Sequence, residues 1–157
     1  MNKLPFGFDR PEDSPGFLLW QTTTLWQRAI KKALEKHHVS HAQFVIMATL
    51  MWLRAHNYDT TQMVIVNQTK LDKMTVSKSL KKLVALGLVH RIEHESDTRA
   101  KSVSLTEKGE ELVGIVVPLV ERIDAQFFGI LKDSQDLIKI LKELVIQNDP
   151  VRLKRLR

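Results

Sequence analysis

The segment that most limits what this chain can become is Asp72-Lys73-Met74-Thr75-Val76-Ser77-Lys78-Ser79-Leu80-Lys81-Lys82-Leu83. Wound at roughly 100° per residue, Val76, Leu80, Leu83 and Gly87 fall within about 60° of one another. Met74, Lys78, Lys81 and Lys82 point the other way, with Thr75 and Ser77 towards the flanks. Asp72 is suited to cap the helix, because its carboxylate accepts the free amides of the first turn. Gly87 is suited to close it, since a residue without Cβ tolerates the left-handed conformation. A short helix that is greasy on one side and carries Lys, Ser and Thr on the other has the make-up of a major-groove probe. A Lys-rich face taken alone is often only a solvated one, so the reading depends on the elements around it.

Upstream, Thr61 caps a short helix from Gln62 to about Gln68. Met63-Val64-Ile65-Val66 is β-branched enough to pass for a strand. The helix is preferred because the Lys-bearing helix needs a partner to cover its apolar side. Downstream, Leu88 to His94 and then Ser102 to Leu105 alternate, with the turn-rich Ser96-Asp97-Thr98-Arg99-Ala100-Lys101 between them. This predicts a hairpin with a cationic tip.

Longer helices flank this unit. Residues 1–13, with Pro5, Gly7 and Pro11, read as an irregular arm whose Phe6 and Phe8 can tuck against a helix. Ser14-Pro15 opens a helix to about Lys36, striped by Leu18, Leu25, Trp26, Ala29, Ile30, Ala33 and Leu34. Ser40 and Gln43 form a capping box for the next helix, whose buried face is Phe44, Met47, Ala48, Met51 and Trp52. Thr106 caps a long helix in which Pro118 is expected to make a kink or open a hydrogen bond. A last helix runs from about Ser134 to Gln147, stopped by Asp149-Pro150. The expected fold is mainly α with one small β-hairpin.

Charge agrees with a polyanionic partner. The 157 residues carry a net charge of +6 and a pI near 9.7. Between Lys70 and Lys101 eight Lys/Arg stand against four Asp/Glu, and the last six residues add Arg152, Lys154, Arg155 and Arg157. There is no Cys, which removes disulfides, thiolate nucleophiles and Cys-based zinc sites. No apolar run is long enough to span a membrane, and the first residues hold no apolar signal core. A cytoplasmic protein is expected, without membrane contact. The six His show no catalytic pattern, and no phosphate-cradling glycine loop or Gly-x-Ser-x-Gly elbow is present. An enzyme is not expected, nor a cofactor.

Three helices, a hairpin and two more helices, with these residues in this order, resemble the MarR (multiple-antibiotic-resistance regulator) family of bacterial transcription factors. The likeness covers roughly Trp20 to Leu112. It is carried by Thr61-Gln62, Thr75-Val76-Ser77-Lys78, Leu83 and Gly87-Leu88-Val89. Asp97-Thr98-Arg99 and Leu105-Thr106-Glu107-Lys108-Gly109 complete it. The chain departs from the family pattern at Val66, Thr69, Lys70 (where a turn Gly is common), Ala100 and Lys101. The resemblance implies a winged helix-turn-helix DNA-binding domain at 40–106, with 1–39 and 107–157 forming a non-contiguous helical dimerisation region. It implies a regulator, more often a repressor than an activator, that binds double-stranded DNA as a homodimer and is released by a small ligand.

On that reading Thr75, Ser77 and Lys78 meet base edges, while Lys73, Lys81 and Lys82 are placed for phosphates. Arg99 at the wing tip suits the adjacent minor groove, with Lys101 beside it, and Asp97 orients the Arg99 fork. The first and last helices offer more apolar surface than a small core can cover, which argues for pairing with a second copy. A two-fold dimer would read a pseudo-palindrome with half-sites about one helical turn apart. A pocket for a small apolar or phenolic ligand is expected around Trp20, Phe44, Met47 and Met51, although such stripes are commonly plain core. The alternative is a Zn-responsive regulator of the same fold using His37, His38 and His41, near Glu35. The simpler expectation for those imidazoles is a helix end, with no metal. A winged helix used only for protein contacts would want an acidic or apolar recognition face, and this one is cationic.

Overall fold

The computed structural model describes residues 4–93, 101–149 and 151. Among the described residues six α-helices and one hairpin follow in the expected order: α1 (Pro15–Leu34), α2 (His41–Ala55), α3 (Gln62–Thr69), α4 (Lys73–Ala85), β1 (Val89–Glu93), β2 (Lys101–Leu105), α5 (Glu107–Phe128) and α6 (Ser134–Asn148).

Each helix begins where a side chain can satisfy free amides. Ser14 accepts from the Phe17 amide, Thr61 from Val64, Asp72 from Thr75 and Thr106 from Gly109. The Ser40–Gln43 capping box is complete: the Gln43 amide donates to Ser40 Oγ and the Ser40 amide to Gln43 Oε1. The β-branched run in α3 is helical after all. Ile65 goes fully into the core, and the Thr61 cap with neighbours α2 and α4 overrides the local strand preference. The long helix α5 runs on through Pro118, which is solvent-exposed and lies four residues after exposed Gly114.

One core joins the helices to the hairpin. Ile30 and Leu34 of α1, Ile46, Met47 and Leu50 of α2 and Ile65 of α3 meet Val76, Leu80 and Leu83 of α4. Val89, Val103 and Leu105 of the hairpin and Val113, Val116 and Val120 of α5 close it. The hairpin pairs antiparallel from Val89 opposite Leu105 to Glu93 opposite Lys101. Its second strand is anchored on the link before α3: the Val103 amide donates to the Thr60 carbonyl at 2.9 Å, and Thr61 bridges Ser102.

Two glycines are required where the hairpin meets the helices. Gly87 follows the end of α4 with φ of 69°, the left-handed region. Gly109 lies in the first turn of α5, where a Cβ would come 2.1 Å from the Leu88 carbonyl oxygen. The close approach lets Thr106 grip the turn, its hydroxyl donating to Gly87 O at 2.7 Å and its amide to Leu88 O at 3.1 Å.

The outer helices differ. Phe17, Leu18, Leu19, Trp20 and Leu25 on α1 are exposed, and no residue of α6 is buried. Among the described residues, no helix is long and apolar enough to cross a membrane.

Candidate nucleic-acid interface

The helix-turn-helix is α3, a three-residue turn and α4. Its turn is made by Lys70, whose φ of 60° is the left-handed conformation usually left to glycine. The Lys70 amide donates to Val66 O, and its ammonium pairs with Asp149 Oδ2 at 2.5 Å. Asp149 caps the far end of α6, and the Lys70 contact holds its carboxyl below the ordinary Asp range. The helical tail is thereby tied to the turn of the reading unit, a link no sequence motif announces.

Helix α4 is split as its periodicity requires. Val76, Leu80 and Leu83 are fully buried, while Lys78, Lys81 and Lys82 are exposed on the other side, Ser77 is exposed on a flank and Lys73 at the helix start. Thr75 is half-buried, on the flank. Its amide donates to Asp72 Oδ1 at 2.8 Å and its hydroxyl to Asp72 Oδ2 at 2.6 Å. These two bonds hold the Asp72 carboxyl below its ordinary range, the side-chain bond contributing most. Asp72 was legible as a cap; the hydroxyl bond, which fixes how Thr75 faces outward, was not. Met74, on the solvent side of the same turn, is 66% exposed.

The α5 start also supports α4 from behind. Lys108 Nζ donates to Leu86 O at 3.1 Å, placing a cation at the carbonyl end of the helix. The wing is described only in part. Asp97 and Arg99 lie outside the described residues, and Lys101 is the first residue of β2, opposite Glu93. On β1, Arg91 is exposed and reaches towards Gln62 of α3 at 3.5 Å.

The four expected ligand-pocket residues sit at different depths. Phe44 and Met47 belong to the core, Met51 packs against it, and Trp20 is 71% exposed on α1. Met51 borders a cavity of about 530 Å³ between the end of α2, β2 and the start of α5, with Leu50, Arg54, Tyr58, Thr60 and Glu110. Arg54 and Glu110 form an ion pair there.

The zinc alternative does not hold. Among the described residues no three His, Cys, Asp or Glu side chains converge as metal ligands. The physical reason is visible at His41, which stacks edge-on against Trp26 with ring centroids 5.2 Å apart. His38 sits at the left-handed end of the turn following α1 and is exposed. Trp26 itself donates its indole N–H to Asp124 Oδ1 at 2.7 Å. Burial lowers the His41 pKa from its ordinary value, and the Asp124 charge only partly offsets this.

Comparison with known proteins fits this geometry. A family model for an ArnR1-like winged-helix domain matches residues 35–122. The chain is 36% identical over 138 residues to the HTH-type transcriptional regulator YdcH of Bacillus subtilis, covering 88% of this chain and 94% of that protein. Among solved structures it is similar to BpsR of Bordetella bronchiseptica, whose DNA binding is regulated by 6-hydroxynicotinic acid. There the TM-score is 0.77 with 25% identity, over 91% of this chain and 99% of BpsR. It is also similar to a mutant MarR from Escherichia coli complexed with operator DNA, with a TM-score of 0.74 and 22% identity. That match covers 85% of this chain and 96% of MarR.

Proposed function

Because the chain belongs to the MarR family of winged-helix, DNA-binding transcriptional regulators, we propose that it is a homodimeric repressor of a pseudo-palindromic operator. The observation that carries this reading is the division of α4. Its apolar side is spent on the core, and Lys78, Lys81 and Lys82 stand exposed on the opposite side, with Ser77 exposed on the flank and Lys73 at the helix start. In this reading Ser77 and Lys78 meet base edges, with Thr75 at the flank, because recognition helices enter the major groove by their first turns. Lys73, Lys81 and Lys82 neutralise phosphates. Arg99 enters the minor groove with Asp97 orienting it, and Lys101 contributes beside it.

Dimerisation is supported by the surface left uncovered. The apolar side chains at the start of α1, and Ile140, Leu144, Val145 and Ile146 of α6, are exposed in the single chain. Contiguous apolar surface of this kind marks an interaction site. The reading head is then 40–106, and 1–39 with 107–157 pair the two copies. Two heads on a two-fold axis contact half-sites about 10 base pairs apart.

Release by a small ligand is the finer part of the proposal. It rests on the regulation of BpsR by 6-hydroxynicotinic acid and on the cavity beside Met51, whose roughly 530 Å³ suits a small aromatic molecule. Selection from random duplexes with the wild type and with Arg99→Ala tests the DNA-reading core. A palindrome enriched by the wild type and weakened in the variant is expected. Failure to enrich any sequence at low salt overturns the proposal.

A further inference from the structure

The face of α4 opposite its core contacts is formed by Met74, Lys78, Lys81 and Lys82, the i, i+4, i+7, i+8 spacing of a single helical stripe. Three of these are polar. Met74 is not, yet it is 66% exposed, the most exposed large apolar side chain among the described residues from 40 to 106. It plays no part in the core, which Val76, Leu80 and Leu83 supply. It sits in the first turn, ahead of Lys78, at the end of the helix that enters a groove most deeply. The neighbouring Thr75 hydroxyl is turned to Asp72 and does not cover it.

The floor of the major groove presents one apolar group, the C5-methyl of thymine. We propose that Met74 is a specificity-determining residue that reads a thymine methyl in each half-site. The inference rests on the groove-reading role of α4 given above. A flexible, polarizable thioether suits this contact, since it adapts to a methyl whose position shifts with local DNA shape. The hydrogen-bonding neighbours Ser77 and Lys78 then read the adjoining base pairs.

The test uses the full-length chain and the duplex selected by the wild type. Each thymine is replaced in turn by deoxyuridine, which deletes the methyl and keeps the O4 acceptor and the base pair. One position per half-site is expected to weaken binding about fourfold, as for exposing one methyl-sized group, and roughly fifteenfold when both half-sites are changed. Met74→Ala is expected to bind the thymine duplex with a similar deficit and to be indifferent to deoxyuridine. Met74→Leu is expected to keep the discrimination. The slope of log K against log[salt] is expected to stay the same in both variants, because no phosphate contact is touched. Met74 is exposed, so the variants should melt with the wild type, and circular dichroism checks this.

A selected half-site without thymine overturns the inference. So does an unchanged deoxyuridine penalty in Met74→Ala, or no penalty at any position in the wild type; in each of these cases groove reading by α4 stands. A wild type that binds no duplex at low salt overturns both.

Discussion

The Thr75 hydroxyl donates its proton to Asp72 Oδ2 at 2.6 Å, while the Thr75 amide donates to the other carboxylate oxygen. An ionised carboxylate can only accept, so the direction of the bond is fixed. In the proposed contact, what Thr75 offers a base edge is therefore its lone pairs, an acceptor suited to the amino group of cytosine or adenine. Thr75→Val removes that acceptor at nearly constant volume. Binding-site selection is expected to lose preference at one base per half-site, with affinity down about thirtyfold, the worth of one hydrogen bond of about 1 kcal/mol in each of the two half-sites. Unchanged preference would show that Thr75 only caps the helix.

The same pair predicts how stability responds to acid. Asp72 has its folded-state pKa held below the ordinary value of 3.8, chiefly by the Thr75 hydroxyl. A depressed carboxyl stabilises the fold above its unfolded pKa, and the contribution is lost as pH falls through the lowered folded value. Thr75→Val is therefore expected to lower the urea midpoint near neutrality and to narrow the gap to wild type under strong acid. Urea titrations from about pH 2 to 7 read this directly; a gap that widens towards acid contradicts it.

Much of this molecule was legible because its signals are local. Caps at Ser14, Ser40, Thr61, Asp72 and Thr106 name the helix starts, and the spacing of Val76, Leu80 and Leu83 fixes which side of α4 is buried. What stayed hidden depends on residues far apart in the chain. Asp149 reaches Lys70 across 79 positions of sequence, and no periodicity encodes such a pair. Lys70 adopts the left-handed conformation usually left to glycine, which nothing in the local sequence announces. For the opposite reason, the zinc alternative at His37, His38 and His41 finds no support. Closeness in sequence says nothing of direction, and Trp26 draws the third ring aside.

His41 gives a second pH dependence at milder values. Trp26, Phe44 and Asp124 face it, and burial lowers its pKa from 6.5. For a base, a depressed folded pKa means the unfolded chain takes up the proton first. Stability is full above the unfolded value and falls as pH drops below about 6.5 towards the folded one. His41→Gln is expected to flatten that fall between about pH 7.5 and 5.5. A slope unchanged by the substitution would assign it to other groups.

Gly109 offers a purely steric prediction. A Cβ there meets the Leu88 carbonyl oxygen at 2.1 Å, and backbone cannot yield as a flexible side chain would. Gly109→Ala must push α5 away from the turn, breaking the Thr106 bonds to Gly87 and Leu88. A destabilisation of about 2 kcal/mol or more is expected from the displaced packing. Denaturant unfolding measures it, and amide exchange at Leu88 and Val89 is expected to quicken. A variant as stable as wild type would mean the contact relaxes at little cost.

Phosphate contacts can be separated from base contacts by salt. If each subunit neutralises about four phosphates, log K against log[salt] has a slope on the order of −7 for the dimer. Lys81 and Lys82 are exposed on the last turns of α4, beyond the groove-entering end. Lys81→Ala removes one counterion-releasing contact per subunit, so the slope is expected to become shallower by about two. Affinity should fall by a similar factor for the selected site and for unrelated duplex, because a phosphate carries no base identity. Fluorescence anisotropy across a salt series on both duplexes makes the comparison. A loss confined to the selected site would move Lys81 from the backbone to a base edge.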